Sequence, residues 1–142
     1  NLSKSEVTVL IKSLKNCEKE IPGEMPLIGR IKDDTPVIDF KYHVKYILHR
    51  YRNPIDASRF SMHIRFTDID SMLIRIDINN GSHKNPDGTK VPQNHMHIYN
   101  AEGGTRRDSV AVPLPDDIKD VSSLFTVLEE FLEYTNTATF KE

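Results

Sequence analysis

Residues 71–100, SMLIRIDINNGSHKNPDGTKVPQNHMHIYN, restrict the fold more than any other part of the chain. They read as two strands joined by a long polar loop. Successive strand side chains point to opposite faces of a sheet. Met72, Ile74, Ile76 and Ile78 therefore share one face of the first arm, while Arg75 and Asp77 share the other. In the second arm Met96 and Ile98 match the apolar face, and His95, His97 and Tyr99 fall with Arg75 and Asp77. One face is expected to be core and the other a cluster of ionisable groups, provided the two arms pair in that register. The loop contains Asn79-Asn80-Gly81, Asn85-Pro86-Asp87-Gly88 and Pro92. Glycine supplies positive φ and proline a fixed one, so a shaped turn is expected and not a floppy linker.

The rest of the chain supplies the frame. Residues 2–17 read as a helix: Ser3 and Glu6 have capping-box spacing, and Val7, Leu10, Ile11 and Leu14 recur at helical intervals. Pro22-Gly23 marks a turn. Strands are expected over 27–31, 37–44, 45–52, 60–66 and 109–114, with a turn at 33–36. No glycine or proline marks the break between 37–44 and 45–52. In 60–66, Phe60, Met62, Ile64 and Phe66 alternate with His63 and Arg65. A final helix begins near 116 or 122 and runs to about 136, burying Leu124, Leu128, Phe131 and Leu132. Residues 135–142 are expected to fray. The predicted fold is α+β: one curved, mainly antiparallel sheet of about six strands, with an N-terminal and a C-terminal helix packed on one face, in a single domain over 1–142.

Composition narrows the classes. A chain of 142 residues can bury a core without staples. No apolar run nears the ~18 residues of a membrane span. A lone Cys17, read as a packing residue, excludes an internal disulfide and a cysteine-based zinc site. No secretory signal is visible, although a start at Asn1 leaves room for a removed leader, and cytoplasmic residence is the expectation. Net charge is −2 but unevenly spread: residues 41–107 carry eleven Lys/Arg against six Asp/Glu, and residues 108–142 two against eight. A basic middle and an acidic tail suit a polyanion-binding face backed by an acidic helix.

Three chemistries fit the ionisable face. His95 and His97, two apart on a strand, are close enough to bind one metal ion, with His83 or Asp77 as a third ligand. No metal is assigned on sequence alone, and a divalent ion on His83, His95 and His97 is the secondary reading. Without metal, the same residues suit phosphoryl chemistry on RNA: a neutral histidine takes a proton from a 2′-hydroxyl, a protonated one donates to the leaving oxygen, and arginine stabilises the phosphate. His83, His95 and His97 are then catalytic, with Asp77 and Arg75 in support; Arg65, Tyr99, Arg106 and Arg107 are the nucleic-acid contacts. The plainer reading is a hydrogen-bonded network that holds the loop. His43, His49 and His63, each alone on a strand, read as ordinary sheet residues.

The combination Leu73-Ile74-Arg75-Ile76-Asp77, His83-x-Asn85-Pro86-Asp87-Gly88, His95-Met96-His97-Ile98-Tyr99 and Val112-Pro113-Leu114-Pro115 resembles an uncharacterised family of small proteins from Gram-positive bacteria and their phages. The match spans residues 71–136. Ser82 and Asn94 stand where that signature has prolines, and Val112 where it has an aromatic. More remotely, the order R-x-D, H-x-N-P, H-x-H is similar to small toxins of a bacterial toxin–antitoxin family. The H-x-H pair with Glu102 also resembles the first cupin motif, but no histidine follows His97 to complete the second. The resemblance implies a mobile-element protein, toxin-like or phage-accessory, more than any reaction; nucleic-acid binding and histidine-dependent RNA cleavage are the expectation from the residues themselves. The alternative is a non-catalytic inhibitor of a host nuclease or defence complex. RNA is the favoured partner and a protein the other; a homodimer is compatible with both, and a membrane with neither.

Overall fold

A computed structural model describes residues 1–23, 29–101 and 110–141. Over these residues the fold is α+β, with two helices and a mainly antiparallel sheet of eight strands. The chain runs α1 (Lys4–Lys12), β1 (Lys15–Cys17), β2 (Ile31–Asp39), β3 (Val44–Arg52), β4 (Phe60–Phe66), β5 (Met72–Ile78), β6 (His83–Lys84), β7 (Lys90–Val91), β8 (His95–Ile98), β9 (Ala111–Pro113), α2 (Leu124–Tyr134) and β10 (Thr137–Ala138). Sheet order is β10-β1-β2-β3-β4-β5-β8-β9, with β6 and β7 forming a separate two-stranded ribbon. Among the described residues no helix is long and apolar enough to cross a membrane.

The capping box opens α1 as expected: Ser3 Oγ accepts from the Glu6 amide and Glu6 Oε1 from the Ser3 amide. The helix is shorter than 2–17. It ends at Lys12, leaves Leu14 exposed, and gives Lys15–Cys17 to the sheet. Buried Lys15 explains the stop. Its Nζ donates to the Ile11, Ser13 and Thr135 carbonyls at 2.8–2.9 Å, joining the C-terminal ends of both helices. A cation is favoured at that pole of a helix. Burial pushes this amine down to about 8, against the pull of Asp39.

Three expectations need correction. The sheet has eight strands, not about six, because β1 and β10 are too short to carry an alternation signal. Residues 33–36 are not a turn: β2 runs through them, since Asp33 lies opposite Arg50 and accepts from its Nη2 at 2.7 Å. Part of the tail is ordered, with Thr137 paired in parallel to Lys15 and Thr135 fully buried. The unmarked break between β2 and β3 is a turn in which His43 itself takes positive φ (56°) and Asp39 Oδ1 accepts from the Tyr42 amide. Of the expected strand at 27–31, residues 27 and 28 lie outside the described residues, Gly29 takes positive φ (103°) and is not strand, and Ile31 instead opens β2.

Alternation then sorts the sheet. Leu48 of β3, Phe60, Met62 and Ile64 of β4, Ile74, Ile76 and Ile78 of β5 and Met96 of β8 are buried in one cluster. Val7, Leu10 and Ile11 of α1 and Val127, Leu128, Phe131 and Leu132 of α2 join it. Side chains of opposite parity on these strands build the polar face.

Candidate functional site

The register on which the ionisable face depends is present. β5 and β8 pair antiparallel with Arg75 opposite His97 and Asp77 opposite His95. The meander carries that face further. Asp34, His49, His63, Arg75 and His97 are successive cross-strand partners over five strands, and Lys32, Tyr51, Ser61, Asp77 and His95 form the adjoining line. Neighbouring strands lie ~4.8 Å apart, so each line is a contiguous row of side chains.

Asp77 is the centre. His95 Nε2 and His97 Nε2 both lie 3.4 Å from its Oδ2, while Arg75 Nε lies 3.2 Å from Oδ1. The side chains of His95 and His97 are only 4% and 2% exposed, against 14% for Asp77 and 27% for Arg75. Burial alone would raise the Asp77 carboxyl, but contact with His97 and the Arg75 charge outweigh it and hold it below its ordinary value. His83, from the ribbon, sets its ring 4.9 Å from that of His97 and 5.8 Å from that of His95. Thus His83, His95, His97, Asp77 and Arg75 do come together.

One tautomer follows from the contacts. His95 Nδ1 lies 2.8 Å from the Pro92 carbonyl, which only accepts, so Nδ1 carries a hydrogen. A neutral His95 then points the bare lone pair of Nε2 at a carboxylate. That arrangement needs a cation between the two, either a proton or a metal ion.

The loop is built to cover this centre. Asn79 and Gly81 take positive φ (56° and 89°), and the Asn79 amide donates to Asn94 Oδ1 at 2.8 Å, closing the loop at its base. In the Asn-Pro-Asp-Gly turn the Gly88 amide donates to the Asn85 carbonyl, with Gly88 at φ 91°. The Asn85 side chain reaches across to β9: its Oδ1 accepts from the Ala111 amide at 2.7 Å and its Nδ2 donates to the Ala111 carbonyl at 2.9 Å. Since Ala111 lies opposite His97, Asn85 fixes the ribbon over the imidazoles. Alternation could not single out this residue, because it lies in a turn.

The other expected residues divide. Arg65 is on the polar face, where its Nη1 lies 3.2 Å from His63 Nε2 and its Nη2 3.3 Å from Asp34 Oδ2. Tyr99 is not on that face. An extra residue in β5 at Leu73 shifts the pairing, β8 ends at Ile98, and Tyr99 turns into the core against Phe66. Arg106, Arg107 and Glu102 lie outside the described residues. A second group escaped the sequence reading: His49 Nδ1 meets Asp34 Oδ1 at 2.6 Å and its ring stacks on His63 at 4.9 Å. Burial, then His49, Arg65 and Arg75, push His63 down to about 4. Because Arg65 can only donate, His63 Nε2 is the acceptor and Nδ1 carries the hydrogen.

No characterised protein and no solved structure matches the chain. A family model does match, over residues 2–137, which is nearly the whole length. The chain with this histidine face belongs to a family of unknown function, DUF6978.

Proposed function

We propose that this is a nucleic-acid-associated protein of toxin or phage-accessory type, acting in the cytoplasm, whose polar sheet face binds RNA and cleaves it. The observation that carries the reading is the convergence of two buried imidazoles on one half-buried carboxylate beside Arg75, with a third imidazole, His83, packed against them. In the reaction, a 2′-hydroxyl gives its proton to a neutral imidazole and its oxygen bonds to phosphorus. The bond to the 5′-oxygen then breaks, and that oxygen takes its proton from a protonated imidazole. His83, at the less buried rim, suits the proton transfer, and Arg75 with Arg65 suits the phosphate.

A second reading has its own support. An apolar cleft of about 340 Å³ between α1 and the β8–β9 edge is lined by Val7, Ile11, Ile98, Val112 and Tyr134. Exposed apolar concavity of this kind suits a protein partner, as expected of a non-catalytic inhibitor of a host nuclease or defence complex.

His95→Ala/His97→Ala separates the two. Under the first reading the double variant, still folded by circular dichroism, loses at least ~100-fold in RNA cleavage. Unchanged cleavage, or none in the parent chain, ends the enzymatic reading.

A further inference from the structure

We propose that Asp77, His95 and His97 are the ligands of a single divalent transition-metal ion, zinc by preference, with a fourth position open towards His83. The inference rests on the same site as the ribonuclease reading but does not need that reading to be right.

Distance is the first argument. A protonated imidazole paired with a carboxylate closes to about 2.7–2.9 Å. Here two Nε2 atoms stand off the same oxygen at 3.4 Å. A tetrahedral ion with bonds of about 2.0–2.1 Å has ligand–ligand edges of about 3.3–3.4 Å. The three donor atoms all lie within 4.8 Å of one another. The two imidazole–carboxylate spacings are those of ligands around an ion, and longer than a charged hydrogen bond.

The outer contacts are the second argument. His95 donates its Nδ1 hydrogen to the Pro92 carbonyl, which leaves Nε2 as the free lone pair. Arg75 Nε occupies the neighbourhood of Asp77 Oδ1, which turns Oδ2 towards the imidazoles. Metal-binding histidines and carboxylates are held in this way by their second partners. Two nitrogens and one carboxylate oxygen suit zinc in a site that keeps a position for water. Near-complete burial of both imidazoles beside a carboxylate then has a physical reason, since an ion at their centre replaces the missing solvent. His83 stands beside the open position and is not counted as a ligand. With the ion bound, His95 and His97 hold it, and the proton transfer assigned above falls to His83.

The test uses the full chain, made without a histidine tag, stripped with a chelator and titrated with zinc chloride by calorimetry and elemental analysis. One ion per chain is expected, and cobalt in its place should give the intense visible bands of a four-coordinate ion. Asp77→Asn and His97→Ala should each weaken zinc binding at least ~100-fold, while Arg75→Gln should weaken it ~10–100-fold. His49→Ala and His83→Ala should still bind one ion. Asp77→Asn is nearly isosteric, and the cobalt spectrum is read on the unaltered chain, so a variant that fails to fold does not hide the answer. No stoichiometric binding, or binding lost in His49→Ala but kept in Asp77→Asn, overturns the proposal. Zinc bound as described with no RNA cleavage would sink only the ribonuclease reading. Cleavage by a chain that takes up no ion would sink only this one.

Discussion

At Asp77 one carboxylate is shared by two imidazoles from the next strand and a guanidinium from its own. The neighbouring histidines are built on a different rule. His63 faces His49 of β3, Arg65 of β4, Arg75 of β5 and, further off, Asp34 of β2. Burial, the His49 ring and the Arg65 and Arg75 charges oppose its protonation; only Asp34 favours it. With a folded value of about 4 against an ordinary 6.5, the unfolded chain takes up the proton first. Stability is therefore full above pH 6.5 and declines as pH falls from 6.5 to 4, by at most ~3 kcal/mol. Urea unfolding at stepped pH should show that decline, and His63→Gln should flatten it. An equal slope in the variant would assign the loss to other groups.

At the scale of elements, the ribbon β6–β7 is joined to β9 through the side chain of Asn85. Asn85→Ala removes both bonds to Ala111, and a cost of ~1–2 kcal/mol is expected. Hydrogen exchange should quicken at His83–Lys84 and Lys90–Val91 while β3 and β4 stay protected. Protection unchanged in the ribbon would mean that other contacts hold it. What the sequence disclosed follows the same division. The Met72–Ile78 and Phe60–Phe66 strands, the faces of Ile74–Ile78 and Phe60–Phe66, and the capping box were legible, because period-2 alternation and cap spacing are local signals; Met72 was not, since Leu73 takes the core place expected for it. The His95/His97/Asp77 convergence was legible for the same reason. The β2–β3 turn was not, since His43 takes positive φ without a glycine. With that turn unplaced, the register that sets Asp34 against His49 could not be read either. Tyr99 was misplaced by the extra residue at Leu73, which shifts one strand by a step that alternation does not record.

Taken whole, the molecule divides between an apolar cluster to which both helices contribute and a polar sheet face that meets His83 of the ribbon. The basic middle of the chain is partly neutralised where it matters, because Arg65 and Arg75 already meet Asp34 and Asp77. Any polyanion on this face competes with those carboxylates. Both edges of the sheet are short strands, and one of them joins distant parts of the chain. Lys15 reaches the Thr135 carbonyl 120 positions away, and β1 takes β10 as its parallel neighbour. The β2–β5 meander involves only near neighbours in sequence, so it can assemble early, whereas this seam waits on closure of nearly the entire polypeptide. A proline at Thr137 should accordingly speed unfolding in stopped-flow experiments and leave the refolding rate almost unchanged. A slowed refolding limb would put the seam in the rate-limiting barrier. The last pairing to form is then the first to let go, and how long each native molecule survives is governed at the edge furthest from the histidines.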